Sequence, residues 1–185
     1  MPYRVIRSDR RTLSLQITRE GEVLVRAPRR ATNASIEAFV QQHRVWIERR
    51  LASHVEVEPM SEEERTELLT KAKSVLPERL AYWAAILKVE YSRVSVRLQR
   101  TRWGSCGANG AISLNALLIT VPAFVCDYVL VHELCHRREL NHSRNFWKRV
   151  CEVFPRADEA RAWLKAHEQE YIGRIPSTLD KRPKT

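Results

Sequence analysis

The sequence predicts an α+β protein, a small twisted sheet with a helix pair on one face, organised around a single helix that carries paired histidines. Three observations lead there. Residues 3–26, 91–100 and 110–115 alternate apolar and polar side chains with the period of strands, while most of the remainder repeats with the period of helices. The stretch Tyr128–His142, YVLVHELCHRRELNH, sets two histidines four residues apart in an apolar helical run. A length of 185 residues with 44% hydrophobic residues suits one domain with a small annex and a real core.

Taken in order, Leu13, Leu15 and Ile17 interleave with Thr12, Ser14, Gln16 and Thr18, and Gly21 allows a turn into Val23–Arg26. This predicts a β-hairpin or meander that Pro28 stops. Thr32, Asn33 or Ser35 can then cap one helix carrying Ile36, Phe39, Val40, Val45, Trp46, Ile47 and Leu51, with Trp46 in the core. Ser53–Pro59 breaks the pattern and reads as a linker. The expected organisation is therefore a β-rich amino-terminal segment over 1–58, a main domain over 59–175 and a basic, loosely ordered tail over 176–185.

Ser61 with Glu64 three residues on is a capping box, and the acids Glu62–Glu64 suit the positive end of a helix dipole. That helix should run through Leu68, Leu69, Ala72 and Val75, kink at or tolerate Pro77, and continue through Leu80, Trp83, Ala84 and Leu87. Val94, Val96 and Leu98 mark a strand within 91–100, the glycines of Thr101–Asn109 mark a loop, and Gly110–Asn115 returns to a strand. Pro122 opens the histidine helix. Beyond it, Ser143 caps a helix through Phe146, Trp147, Val150, Cys151 and Phe154, and a last helix spans Ala157–Tyr171, where His167 reads as a surface residue.

His132 and His136 share one helical face and can grip one metal ion. Glu133, about a hundred degrees around the helix, is a poor co-ligand but well placed to act as general base on an attacking water. A catalytic zinc site usually takes three protein ligands and leaves the fourth position to water. Two candidates for the third follow. His142 is favoured, since Asn141 can adopt the left-handed conformation and swing the chain back; Glu139 would then fix an imidazole tautomer instead. Val129, Leu130, Val131 and Leu134 around His132 predict a buried helix, where an unmetallated imidazole pair would be costly.

Composition bounds the rest. No run of about 18 apolar residues could span a membrane, and the first residues lack the apolar core of a signal peptide, so the expected setting is the cytoplasm. Cys106, Cys126, Cys135 and Cys151 form no C-x-x-C pair and read as free thiols. The net charge of +10, mostly from arginine, implies attraction to an anion such as nucleic acid or a nucleotide.

Thr101-Arg102-Trp103-Gly104-Ser105-Cys106, Ile112-Ser113-Leu114-Asn115, Asp127-Tyr128-Val129, His132-Glu133-Leu134-Cys135-His136 and Asn141-His142-Ser143 with Phe146-Trp147 together resemble the YgjP-like metallopeptidase family in order and spacing. Arg10–Leu13 and the Gly21–Pro28 segment resemble its amino-terminal part. That family is related to SprT-like and Wss-like zinc peptidases. The resemblance implies a zincin-like catalytic domain, one zinc ion per chain held by His132, His136 and His142, Glu133 as catalytic base, and a peptide or protein substrate. It also suggests that the strand near Ala111–Asn115 borders the cleft as an edge. Metzincins share the spacing of the third histidine but have Gly where this chain has Glu139; a gluzincin would need Glu152, Glu159 or Glu168 in place of His142. Tyr128 or an arginine is expected to stabilise the oxyanion.

A different chemistry is open to the same residues. Arg97, Arg100 and Arg102 precede the Trp-Gly-Ser-Cys loop, and Arg137, Arg138 and Arg144 flank the histidines, an arrangement suited to hydrolysis of a nucleotide phosphoanhydride. Against a third possibility, a binding module merely stabilised by metal, stands Glu133, since structural zinc sites are normally closed by four protein ligands.

Overall fold

A computed structural model describes residues 1–18, 21–52 and 57–176. The chain divides into two compact units, Met1–Val57 and one that begins at Glu58. Residues 53–56 of the expected linker and 177–185 of the expected tail lie outside the described residues.

The first unit contains β1 (Arg4–Ser8), β2 (Ser14–Ile17), β3 (Val23–Pro28), α1 (Asn33–Gln42) and α2 (Arg44–Ala52). β2 and β3 form the expected hairpin, with Gly21 at φ 75° in its turn. The strand order is nevertheless β1-β3-β2, with β1 parallel to β3, so the sheet is not a meander. The reason is visible in β3, whose Val23, Leu24, Val25 and Ala27 are all buried as befits a central strand, whereas β1 is largely exposed. Arg7 secures the crossover by donating to the carbonyl of Arg29 at 3.3 Å and to Asn33 Oδ1 at 2.8 Å.

Thr32 is the cap of α1, accepting from Ser35 N–H at 3.1 Å. The single helix expected over this region is two helices, with His43 as the C-cap of α1 and its Nδ1 donating to the Phe39 carbonyl at 2.8 Å. Ile36, Val40 and Ile47 nevertheless keep to one buried face across the junction. Ile47 becomes fully buried while Trp46 stays 45% exposed, which corrects its assignment to the core.

The second unit contains α3 (Glu62–Leu87), β4 (Arg93–Arg97), β5 (Gly104–Cys106), β6 (Ala111–Asn115), a 3₁₀ turn at Ala116–Ile119, α4 (Ala123–Cys135), α5 (Arg144–Val153) and α6 (Ala157–Gly173). α3 begins with the capping box of Ser61 and Glu64, runs through Pro77 without interruption, and ends at Lys88 in the left-handed region. Its buried stripe of Ala72, Leu76, Leu80 and Ala84 packs on α4, the 3₁₀ turn and β4. Arg79 grips Asp127 of α4 with two bonds of 2.6 and 2.9 Å, and Trp83 Nε1 donates to the same carboxylate at 2.7 Å. These bonds fix the rotation of α4 about its axis.

The second sheet repeats the order of the first: β4 and β6 are parallel, and β5 pairs antiparallel with β6 on the other side. Two expectations change. The supposed loop Thr101–Asn109 contains a strand, closed onto β6 by a turn with Gly110 at φ 80°. The edge beside the motif helix is β5, not Ala111–Asn115; β6 is the central strand, and its Ile112 and Leu114 are buried accordingly. No described helix is long and apolar enough to cross a membrane.

Candidate metal centre

α4 is apolar on nearly every side: Val125, Cys126, Val129, Leu130, Val131, Leu134 and Cys135 are buried. Pro122 precedes its first turn, and His136 closes it as the C-cap. Asn141 does not take the left-handed conformation expected of it, since Lys88 is the one non-glycine residue with positive φ among those described. The return is built from the helix end instead. Arg137 and Arg138 N–H bond back to Leu134 and Cys135, Glu139 N–H bonds to Cys135, and Asn141 Oδ1 accepts from Ser143 N–H at 3.1 Å. Ser143 then caps α5 through Phe146 N–H.

This path brings the ring of His142 to those of His132 and His136, and one ligand atom from each lies within 4.8 Å of the others. The Nε2 atoms of His132 and His142 are 3.1 Å apart. His136 Nδ1 donates to the Glu139 carbonyl at 2.9 Å, which leaves Nε2 as the lone-pair atom. Glu139 thus acts through its backbone, not through the carboxylate the sequence suggested. Tyr128 OH lies 3.4 Å from Nδ1 of His132 and is buried, so it orients that imidazole from behind. Such a position does not suit an oxyanion donor.

Phe146 is the floor of the site. Fully buried, it stacks on His136 at 4.5 Å and meets His132 and His142 edge-on at 4.9 Å each. Trp147 stacks on His142 at 5.6 Å, and the Arg161 guanidinium lies 4.3 Å over that indole. Burial pushes His132 down to about 3, with His136, His142 and Arg161 adding to the effect, and burial likewise lowers His136. His132 and His136 are thus held neutral, and with His142 they gather three imidazoles around one point, a donor set that suits a borderline-soft divalent ion.

Glu133 lies apart from the three rings and almost wholly buried. Burial raises its carboxyl to about 7, against the opposing pull of Arg102. Its neighbour is the backbone of β5: a Cβ on Gly104 would come within 2.6 Å of Glu133 Oε1.

The remaining candidates separate clearly. Arg102 is exposed with its charge felt at Glu133, and Arg144 is exposed at the start of α5. Arg137 and Arg138, which the phosphate chemistry would use, donate to backbone carbonyls of Glu90 and Lys88 at 2.9 Å each and tie the helix end to the strand side of the unit. Glu152 and Glu159 pair with Lys148 and Arg156, and His167 stacks on Trp163, away from the cluster. Sequence reasoning placed Phe146 and Trp147 as apolar helix positions and within the motifs of the resemblance, with no role at the site. Their signal was the spacing of four and five residues after His142, which puts an aromatic pair one turn into the following helix. Gly104 stood in the Thr101–Cys106 motif of the resemblance and was otherwise read only as part of a loop.

Among solved structures, the metallopeptidase zymogen of Pyrococcus abyssi abylysin is 26% identical and aligns over 51% of this chain and 96% of its own, with a TM-score of 0.47. That of Methanocaldococcus jannaschii jannalysin is 16% identical, over 49% and 93%, with a TM-score of 0.44. No curated protein matches the chain. The family model described as YgjP-like, metallopeptidase domain, matches residues 11–69 and 65–167, and by that match the chain belongs to the YgjP-like metallopeptidases.

Proposed function

We propose that His132, His136 and His142 hold one zinc ion per chain and that Glu133 is the general base of peptide-bond hydrolysis, within a catalytic domain spanning 59–175. The observation that carries this is the convergence of three imidazoles beside a buried carboxylate that is not among them. When bound, the ion polarises the scissile carbonyl and makes water acidic enough to be deprotonated near neutral pH. Glu133 takes that proton and delivers it to the leaving amine, a role for which a carboxyl raised to about 7 is suited. Arg102, the charged group felt at Glu133, is the better candidate for the developing oxyanion, since Tyr128 faces the back of His132. An extended peptide would add to the free edge of β5, its backbone paired with Gly104–Cys106.

The test is purified protein of defined metal content offered native and denatured forms of the same proteins, beside a nucleotide panel, with Glu133→Gln as control. Cleavage of the denatured forms that requires zinc and disappears in the variant is expected. Zinc-dependent turnover of nucleotides alone would favour the phosphate chemistry.

A second reading concerns recruitment. Exposed Val45 and Trp46 share α2 with Arg49, an aromatic and basic combination that suits nucleic acid. Trp46→Ala and Arg49→Ala should weaken binding to single-stranded DNA, and Arg49→Ala should flatten its salt dependence. Binding that ignores salt refutes it. Free thiols at Cys106, Cys126, Cys135 and Cys151 are consistent with a cytoplasmic setting.

A further inference from the structure

Asn115 is fully buried, and an amide there is costly unless its hydrogen bonds are made. They are. Nδ2 donates to the carbonyls of Gln99 at 2.7 Å and Arg102 at 3.0 Å, Oδ1 accepts from Leu117 N–H at 3.2 Å, and its own N–H donates to the Trp103 carbonyl at 2.9 Å. One side chain therefore spends both amide protons on the segment that enters β5 and anchors the other end to the 3₁₀ turn under α4. The next residue along that segment from Trp103 is Gly104. A Cβ there would stand 2.6 Å from Oε1, 2.7 Å from Cγ and 2.9 Å from Cδ of Glu133, closer than real carbon contacts permit. Gly104 is not among the glycines with positive φ, so the position demands a glycine for room and not for backbone conformation.

We infer that Asn115 is a positioning residue for the reaction: it sets the depth of the Arg102–Gly104 segment, and the bare backbone of Gly104 in turn holds the Glu133 side chain in its working place. This rests on Glu133 being the base. A buried, fully satisfied amide network confers geometry more than net stability, because its bonds replace bonds to water. The same network sets where Arg102 leaves the sheet, so it aligns the base and the exposed cation together.

The experiment compares zinc-loaded wild type, Asn115→Ala and Gly104→Ala on a quenched fluorogenic peptide that the wild type cleaves. Zinc content and amide hydrogen exchange of 102–106 are read in parallel. Displacement of a reacting group by about 1 Å costs about 100-fold in rate, so both variants should lose kcat by about that factor. KM and one-to-one zinc should be kept, and exchange at 102–106 should quicken in Asn115→Ala only. Full kcat in Asn115→Ala with quickened exchange would reduce Asn115 to a purely structural role and overturn the inference. If Asn115→Ala fails to fold, Gly104→Ala decides, and full kcat there refutes the contact with Glu133. A wild type that cleaves no peptide defeats the underlying function instead.

Discussion

Glu133→Gln tests the proposed division between base and ligands and also measures what the site costs the fold. Burial raises the Glu133 carboxyl from 4.5 to about 7. Below pH 4.5 the group is protonated folded or unfolded and contributes nothing. Between 4.5 and about 7 the folded protein binds a proton that the unfolded chain releases, so stability falls as pH rises; above 7 the whole penalty is present. At about 1.4 kcal/mol per pH unit the displacement amounts to ~3 kcal/mol. Glutamine keeps the shape and cannot ionise. The metal-free variant should therefore be more stable than metal-free wild type at pH 8, by up to ~3 kcal/mol, and no more stable at pH 4.5. Urea denaturation followed by tryptophan emission measures this, because Trp83, Trp103, Trp147 and Trp163 all lie in the second unit. Zinc beside the carboxylate favours its charged form and should shrink the difference in loaded protein. The variant should bind zinc one to one and lose about 10²–10⁴ in kcat. Equal stabilisation at both pH values would show that Glu133 is not held in an apolar setting, and loss of zinc would make it a ligand.

His142→Ala should weaken zinc binding far more than Glu139→Ala. Alanine at 139 keeps the carbonyl that His136 uses, and so escapes the roughly 10–100-fold loss that follows removal of a ligand-orienting partner; competition with a zinc chelator ranks the two. Phe146→Ala removes the floor beneath three imidazoles and should cost ~3–5 kcal/mol with weaker zinc binding, measured by denaturation and the same titration, whereas Phe146→Leu should cost less on both. Arg79→Ala leaves Asp127 with Trp83 alone and should cost ~2 kcal/mol in urea denaturation, with a looser α3–α4 contact seen as faster amide exchange in α4.

The motif helix was legible because its signals reinforce each other: a four-residue histidine spacing, apolar flanks, and a proline where the first turn needs no donor. The start of α3 was equally plain, since a capping box is local chemistry written within four residues. Other features depend on competition that the sequence does not display. His43 ends α1 although the apolar pattern runs on, while Ile47, on the face of Ile36 and Val40, is buried and Trp46, beside that face, stays exposed. A helical periodicity running unbroken through 33–51 cannot show such a break.

The order of the strands was hidden for a related reason. Continuous apolar character in β3 and the buried positions of β6 mark central strands, but three residues of Gly-Ser-Cys in β5 are too short for any period to emerge. With no strand visible there, the edge that the resemblance implied was placed on its neighbour, Ala111–Asn115. Gly104 is the extreme case. What it contributes is a missing atom, and a missing atom acquires meaning only through what lies opposite it, here the Glu133 side chain from a helix nearly thirty residues later in the chain. Asn115 is opaque in the same way, since a polar residue ending an apolar strand reads as the start of a turn. It does cap the 3₁₀ turn, while its amide protons face backward across the sheet to Gln99 and Arg102. His132 and His136 are legible because metal chemistry imposes a spacing along one helix. The parts that hold the Glu133 side chain are not, because they meet only through tertiary pairing, where register, not local sequence, decides which backbone lies against which side chain.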